Sequence, residues 1–214
     1  SDPASTATAD QRPRPGLTGY EGPTTPGPSA AKSEALTRHR IAFDATAEAA
    51  YHAMREGFLG GVHRTLMALV LIGGTASFSA MLGEFGATWQ RAAAVLVVGA
   101  SIVDLIFDLS GKARTHARLR ARHHQVLARL HTCGDADLAD LKAELQMIYA
   151  EEPPGHRMVQ ALAYNAAVDA FYEDDLARKN RLVVPWWPDR VVGYVLRLTG
   201  HSYERAGSTS FNVT

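Results

Sequence analysis

The chain reads as all-α: a two-helix transmembrane hairpin, extended cytoplasmic helices and disordered-like termini. Three observations predict this class. Two long apolar runs, residues 65–83 and 92–111, are separated only by the short break EFGATWQR. The segments around them repeat apolar residues every three or four positions, which is the helical period. Basic residues flank the outer ends of both runs, so the positive-inside rule puts both chain ends in the cytoplasm.

Composition bounds the rest. The 214 residues carry 22 Lys/Arg and 22 Asp/Glu, so the formal charge is zero. That balance argues against nucleic acid as a partner. The single cysteine, Cys133, excludes a disulfide framework and a multi-cysteine metal site. No basic start followed by an apolar run opens the chain, so no cleaved export signal is expected, and an unpaired thiol suits a reducing compartment.

Residues 1–33 form a Pro/Gly-rich tail with six of the ten prolines, too polar to offset its ordering entropy. Residues 34–63 read as an amphipathic pre-membrane helix capped by Ser33, with Phe43, Ala47, Tyr51, Met54, Phe58 and Val62 as its stripe. Gly57, Gly60 and Gly61 weaken its end.

The hairpin occupies residues 64–111. Its first run, TLMALVLIGGTASFSAMLG, has no charge over nineteen residues. As a helix it spans ~28 Å, close to the ~30 Å hydrocarbon thickness of a bilayer. Gly73 with Ser77, and Ala76 with Ala80, make small-x-x-x-small pairs for close helix packing, within the chain or between copies. The second run, AAAVLVVGASIVDLIFDLSG, is interrupted by Asp104 and Asp108. An aspartate near a membrane-helix centre costs roughly 2.5–3.5 kcal/mol. Asp104 and Asp108, with Ser101 on the same face, are therefore candidates for a pore lining. The local alternative pairs Asp108 with Lys112 and bonds Asp104 to a hydroxyl or a second copy. Trp89, Arg64, Lys112 and Arg114 suit the lipid interface and anionic headgroups.

Residues 112–178 read as a cytoplasmic helical region. It opens with six Lys/Arg and no acid in residues 112–131. Ala113, His116, Leu119, His123, Val126 and Leu130 follow a 3-4-3-4 spacing, a coiled-coil seam. Histidines at two seam positions, His116 and His123, would form rings in an oligomer and make it pH-sensitive. Zinc at His116, His123 and His124 is weak, because no nearby cysteine or paired carboxylate completes the site. The reading therefore carries no metal and no cofactor. Residues 137–150 form a helix ended by Pro153 and Pro154, and 155–178 another, with Val159, Leu162, Ala163, Ala166 and Ala170 on one face. Asn165 beside that face can bond a buried backbone group. The adjacent Glu151 and Glu152 point different ways and belong to a turn rather than a catalytic pair. Residues 179–199 hold Trp186 and Trp187 between prolines and can lie on the headgroup surface. Residues 200–214 are a polar tail. No catalytic residue emerges: the chain has no phosphate loop, His-Glu-x-x-His or nucleophile elbow.

The run DLIFDLSGKARTHARLRARHHQVLARL, with Asp104, Asp108, Ala113 and His116, resembles the end of the second membrane helix and the following helix of the SLATT family. The stretch MIYAEEPPGHRMVQALAYNAA, with Glu151, Pro153, Pro154 and Asn165, is similar to a feature of stand-alone, often phage-associated relatives. The resemblance spans roughly residues 45–198. It implies a multi-pass protein of the bacterial inner membrane with the lipid bilayer as its partner. It also implies a homo-oligomer that acts as a membrane effector or forms a pore. The alternative is a structural subunit of a larger membrane complex.

Overall fold

The structure, a computed structural model, describes residues 28–184 and 203–206. These residues form seven α-helices and no strand beyond one antiparallel bridge, Leu182 to Arg205. Residues 1–27, Trp186, Trp187 and the remainder of the terminal segments lie outside the described residues.

α1 runs unbroken over Pro28–Gly73, about 69 Å of helix. Pro28 suits a first helical position, where its missing N–H costs nothing. Ser33 therefore does not cap the helix; it lies inside it, and its carbonyl accepts a bond from Thr37 Oγ1. The expected stop near residue 63 is also absent. Each helical glycine costs about 1 kcal/mol, but Gly57, Gly60 and Gly61 leave the backbone ladder intact, and the helix continues into the first apolar run.

The break comes at Gly74 and Thr75. Thr75 Oγ1 accepts a bond from Phe78 N and caps α2, Ala76–Glu84. The turn to α3, Ala87–Phe107, passes through Gly86 at φ 102°, a conformation that suits glycine. Gln90 Nε2 donates to Ser79 O and ties α3 to α2. α3 is long and apolar enough to cross a membrane, and it is the only single helix among the described residues that is. The end of α1 qualifies only together with α2, across a bend of 68°.

At Asp108 the chain steps into the left-handed region, φ 43° and ψ 56°, which aspartate tolerates better than most residues. α4, Leu109–Thr132, follows at once and runs back beside α1. After a 3-10 turn at Asp135–Asp137 come α5, Leu138–Glu151, and α6, Arg157–Phe171. The single helix expected over 155–178 is split at Tyr172 and Glu173, and α7 covers Asp174–Asn180.

Two apolar clusters hold the helical head together. Ile41 and Ala45 of α1 pack with Leu119, Val126 and Leu130 of α4 and with Leu138, Leu141, Leu145 and Ile148 of α5. Tyr51 packs with Val159 and Ala163 of α6. α1 thus has neighbours on two sides, so its buried face is wider than one stripe and offset from the expected one. Ile41, Ala45, Ala49 and Leu59 are buried, whereas Phe43 and Ala47 are half-buried. Phe43 instead meets the Tyr164 and Phe171 rings of α6 at 5.4 and 5.7 Å. On α6 the buried residues are Met158, Val159, Ala161, Ala163, Ala167 and Val168; Leu162 and Ala166 are half-buried and Ala170 is exposed. Asn165 bonds both backbone groups of Leu182, Nδ2 to O at 2.9 Å and N to Oδ1 at 2.7 Å.

Candidate functional site

The polar centre of the head is built by three helices and one turn. His52 and His123 are fully buried, and His116 is nearly so. His116 and His123 stand seven residues apart on α4, two helical turns, and so share its buried face with Leu119, Val126 and Leu130. Five of the six expected seam positions are thus buried, Ala113 being half-buried, and the face they make packs on α1 and α5 of the same chain. His52 comes from α1 and lies between them. Its ring centroid is 5.1 Å from that of His116 and 5.5 Å from that of His123.

Glu152 closes the cluster. It precedes Pro153, and the proline ring disfavours the helical region for the residue before it. Glu152 accordingly leaves α5 in an extended conformation, φ −71° and ψ 133°. Its Oε1 lies 3.2 Å from His52 Nε2 and 2.9 Å from His123 Nε2. Glu151 turns the other way and pairs with Arg122 at 2.6 Å. The two glutamates do diverge, as their adjacency predicts, but one of them anchors a buried site.

The hydrogen bonds fix the tautomers. A carboxylate only accepts, so both Nε2 atoms donate to Glu152. His52 Nδ1 then accepts from His116 Nδ1, 2.8 Å away. His123 Nδ1 is buried and has no hydrogen-bond partner among the described residues.

Burial alone would push the Glu152 carboxyl up. The bonds from His123 and His52 outweigh it and hold the group at about 2. Burial, reinforced by His52 and Arg55, lowers His116 to about 4. Burial, with Glu152 and Asp44 nearby, raises Glu48 to about 7. Glu48 lies one turn before His52 on α1, and its Oε2 is also buried without a partner among the described residues. It lines a cavity of about 570 Å³ with Asp44, Tyr51, Tyr149, Arg157 and Tyr164. A second cavity, about 550 Å³, lies toward the hairpin and is lined by Arg55, Phe58, Val103, Phe107, Lys112 and His116. One nitrogen each from His52 and His123 and an oxygen of Glu152 lie within 4.8 Å of one another, a donor set that a metal ion can use.

The hairpin residues fall elsewhere. Asp104 Oδ1 lies 2.7 Å from His63 Nδ1 of α1, so its partner is a histidine of the same chain, neither a hydroxyl nor another copy. Ser101 Oγ donates to Val97 O along its own helix. Asp108 does not pair with Lys112. Its Oδ1 accepts from Gly111 N and caps α4, while the Lys112 ammonium lies over the Phe107 ring. A Cβ on Gly73 would collide with Val97 of α3, so that glycine marks the close approach of the two hairpin arms. The Gly73–Ser77 pair straddles the break after α1 and does not share one helix face. Ala80 is exposed, and the side chains of Ala76 and Ser77 lie outside the described residues. Trp89, Arg64, Lys112 and Arg114 are exposed. Farther along α4, Arg120 and Arg129 pair with Glu56 and Glu144 of the same chain.

Sequence reasoning found His116 and His123 but missed His52, His63 and Glu152, because their partners lie 29 to 100 residues away. The local signal for Glu152 was the Glu-Pro-Pro run, which fixes where the helix ends but not what it ends against. Comparison with known protein families, curated proteins and solved structures finds no match.

Proposed function

We propose that the chain is a non-enzymatic membrane protein that crosses the bilayer twice through the end of α1 with α2, and through α3, and assembles into oligomers. The observation that carries this reading is the band of uncovered apolar side chains from Met67 to Phe107. Leu105 is 82% exposed, Leu71 74% and Val95 73%. Soluble monomers rarely expose apolar patches beyond a few hundred Å². Connectivity supports the second crossing. The start of α1 and the body of α4 share one buried core, so they lie on one side. If α3 crosses, the chain between them must cross once more to return. The SLATT resemblance adds the role of pore or membrane effector and the bacterial inner membrane.

The Asp104–His63 pair favours a second reading, a structural subunit of a larger membrane complex, because the one acid within α3, in its last turn, is already engaged within its own chain. Reconstitution in liposomes separates the two. A pore releases an entrapped ion indicator, and Asp104→Asn changes that release. A structural subunit leaves the vesicles tight. Extraction of the chain from membranes by alkaline carbonate would refute both.

A further inference from the structure

We propose that His52, His123 and Glu152 bind one divalent transition-metal ion of the zinc class, with His116 as the hydrogen-bond partner that orients His52. This goes beyond the membrane reading and does not depend on it, because the site lies wholly in the helical head. Three observations carry it.

First, both imidazoles converge on the same carboxylate oxygen, at 3.2 and 2.9 Å. Two donors at metal bonds of about 2.0–2.1 Å and a tetrahedral angle stand about 3.3 Å apart. The observed edges need only small shifts to admit an ion. Second, the site is fully desolvated at both histidines, so bulk water does not compete with an ion for their nitrogens. Third, the outer partner is in place. His116 Nδ1 lies 2.8 Å from His52 Nδ1. When an ion takes His52 Nε2, the ring proton moves to Nδ1, and His116, its own proton shifted from Nδ1 to Nε2, becomes the acceptor at its Nδ1. A ligating histidine ordinarily has such a partner.

The donor chemistry selects the ion. Two imidazoles and one carboxylate suit Zn²⁺ and its neighbours, whereas Ca²⁺ and Mg²⁺ call for six or more oxygens. The ligands come from α1, α4 and the end of α5, so one ion would staple together the three elements beneath the hairpin.

The test uses the untagged full-length chain in detergent, stripped with a chelator and titrated with Zn²⁺ by calorimetry and with Co²⁺ by visible absorption. The expected result is one ion per chain, the intense d–d bands of four-coordinate Co²⁺, and a Tm raised by on the order of 5–10 °C at saturation. His52→Gln and His123→Gln abolish binding. His116→Gln keeps one site but weakens it about 10–100-fold. His124→Gln, at the exposed neighbouring position, changes nothing. No saturable binding to the wild-type chain, or binding that survives His123→Gln, overturns the proposal. Where a buried variant fails to fold, the cobalt spectrum of the wild-type chain decides: four-coordinate bands support the site, and a six-coordinate spectrum refutes it.

Discussion

Glu48 shows how one buried acid couples the head to pH. Its proton is held more tightly in the folded chain, at about 7 against 4.5 for an ordinary glutamate. A raised acid contributes stability that is complete below the lower value and lost as pH rises through the upper one. Glu152 and Asp44 face it, with Tyr51 and Tyr149 lining the same cavity. Glu48→Gln keeps the shape without the charge. It should therefore leave Tm nearly unchanged near about pH 5 and raise it near about pH 8, by on the order of 1–3 kcal/mol of stability. Thermal melts of the chelated protein at both pH values check this, and a gain equal at the two would refute it. Very little of this was legible in the sequence. Glu48 sits in an Ala-rich stretch where an acid reads as solvated, and it is covered by elements far along the chain, Tyr149 of α5 and Arg157 and Tyr164 of α6. His52 is similar: its spacing places it on the helix, but its meaning comes from α4. By contrast His116 and His123 were legible as core positions, because periodicity along one helix is a local property.

The helices themselves follow local rules, and their ends less so. The heptad stripe of α4, the proline stop of α5 and the two apolar runs were all readable from spacing and composition. The Gly74–Thr75 break, the split between α6 and α7, and the junction at Asp108 were not, because each depends on a cap or a neighbour. The junction offers a sharp test. At an ordinary helix position, Gly→Ala gains about 1 kcal/mol. At Gly111 the added methyl would collide with the Asp108 carboxylate that caps α4. Moving that side chain away relieves the clash but forfeits a cap worth about 1 kcal/mol. Gly111→Ala should therefore gain nothing in the wild-type chain. In an Asp108→Gly background, with the cap already gone, it should recover its ~1 kcal/mol. Denaturation of the four proteins in this cycle measures the difference as a coupling energy. Simple additivity would show that Asp108 and Gly111 do not constrain each other.

At the scale of the whole molecule, the head and the hairpin constrain one another. α3 is 21 residues long, about 32 Å of helix, and matches a bilayer of ~30 Å. The end of α1 with α2 reaches the same turn by a path bent by 68°, so it would lie obliquely across any layer that α3 spans. α3 alone then decides where the turn lies: if it spans, Phe85 is on the side opposite Lys112. The core shared by α1, α4 and α5 keeps Ser29, Cys133 and α7 on the Lys112 side. The chain's single cysteine makes the arrangement easy to read. In a Cys133→Ser background, Phe85→Cys and Ser29→Cys both place a thiol at an exposed position. A membrane-impermeant maleimide added to intact cells should label Phe85→Cys at once and Ser29→Cys only after permeabilisation. Leu176→Cys, exposed on α7, should behave like Ser29→Cys. Labelling of all three from outside, or of none, would leave α3 on one side of the bilayer. The exposed band from Met67 to Phe107 would then need a protein partner rather than lipid to cover it.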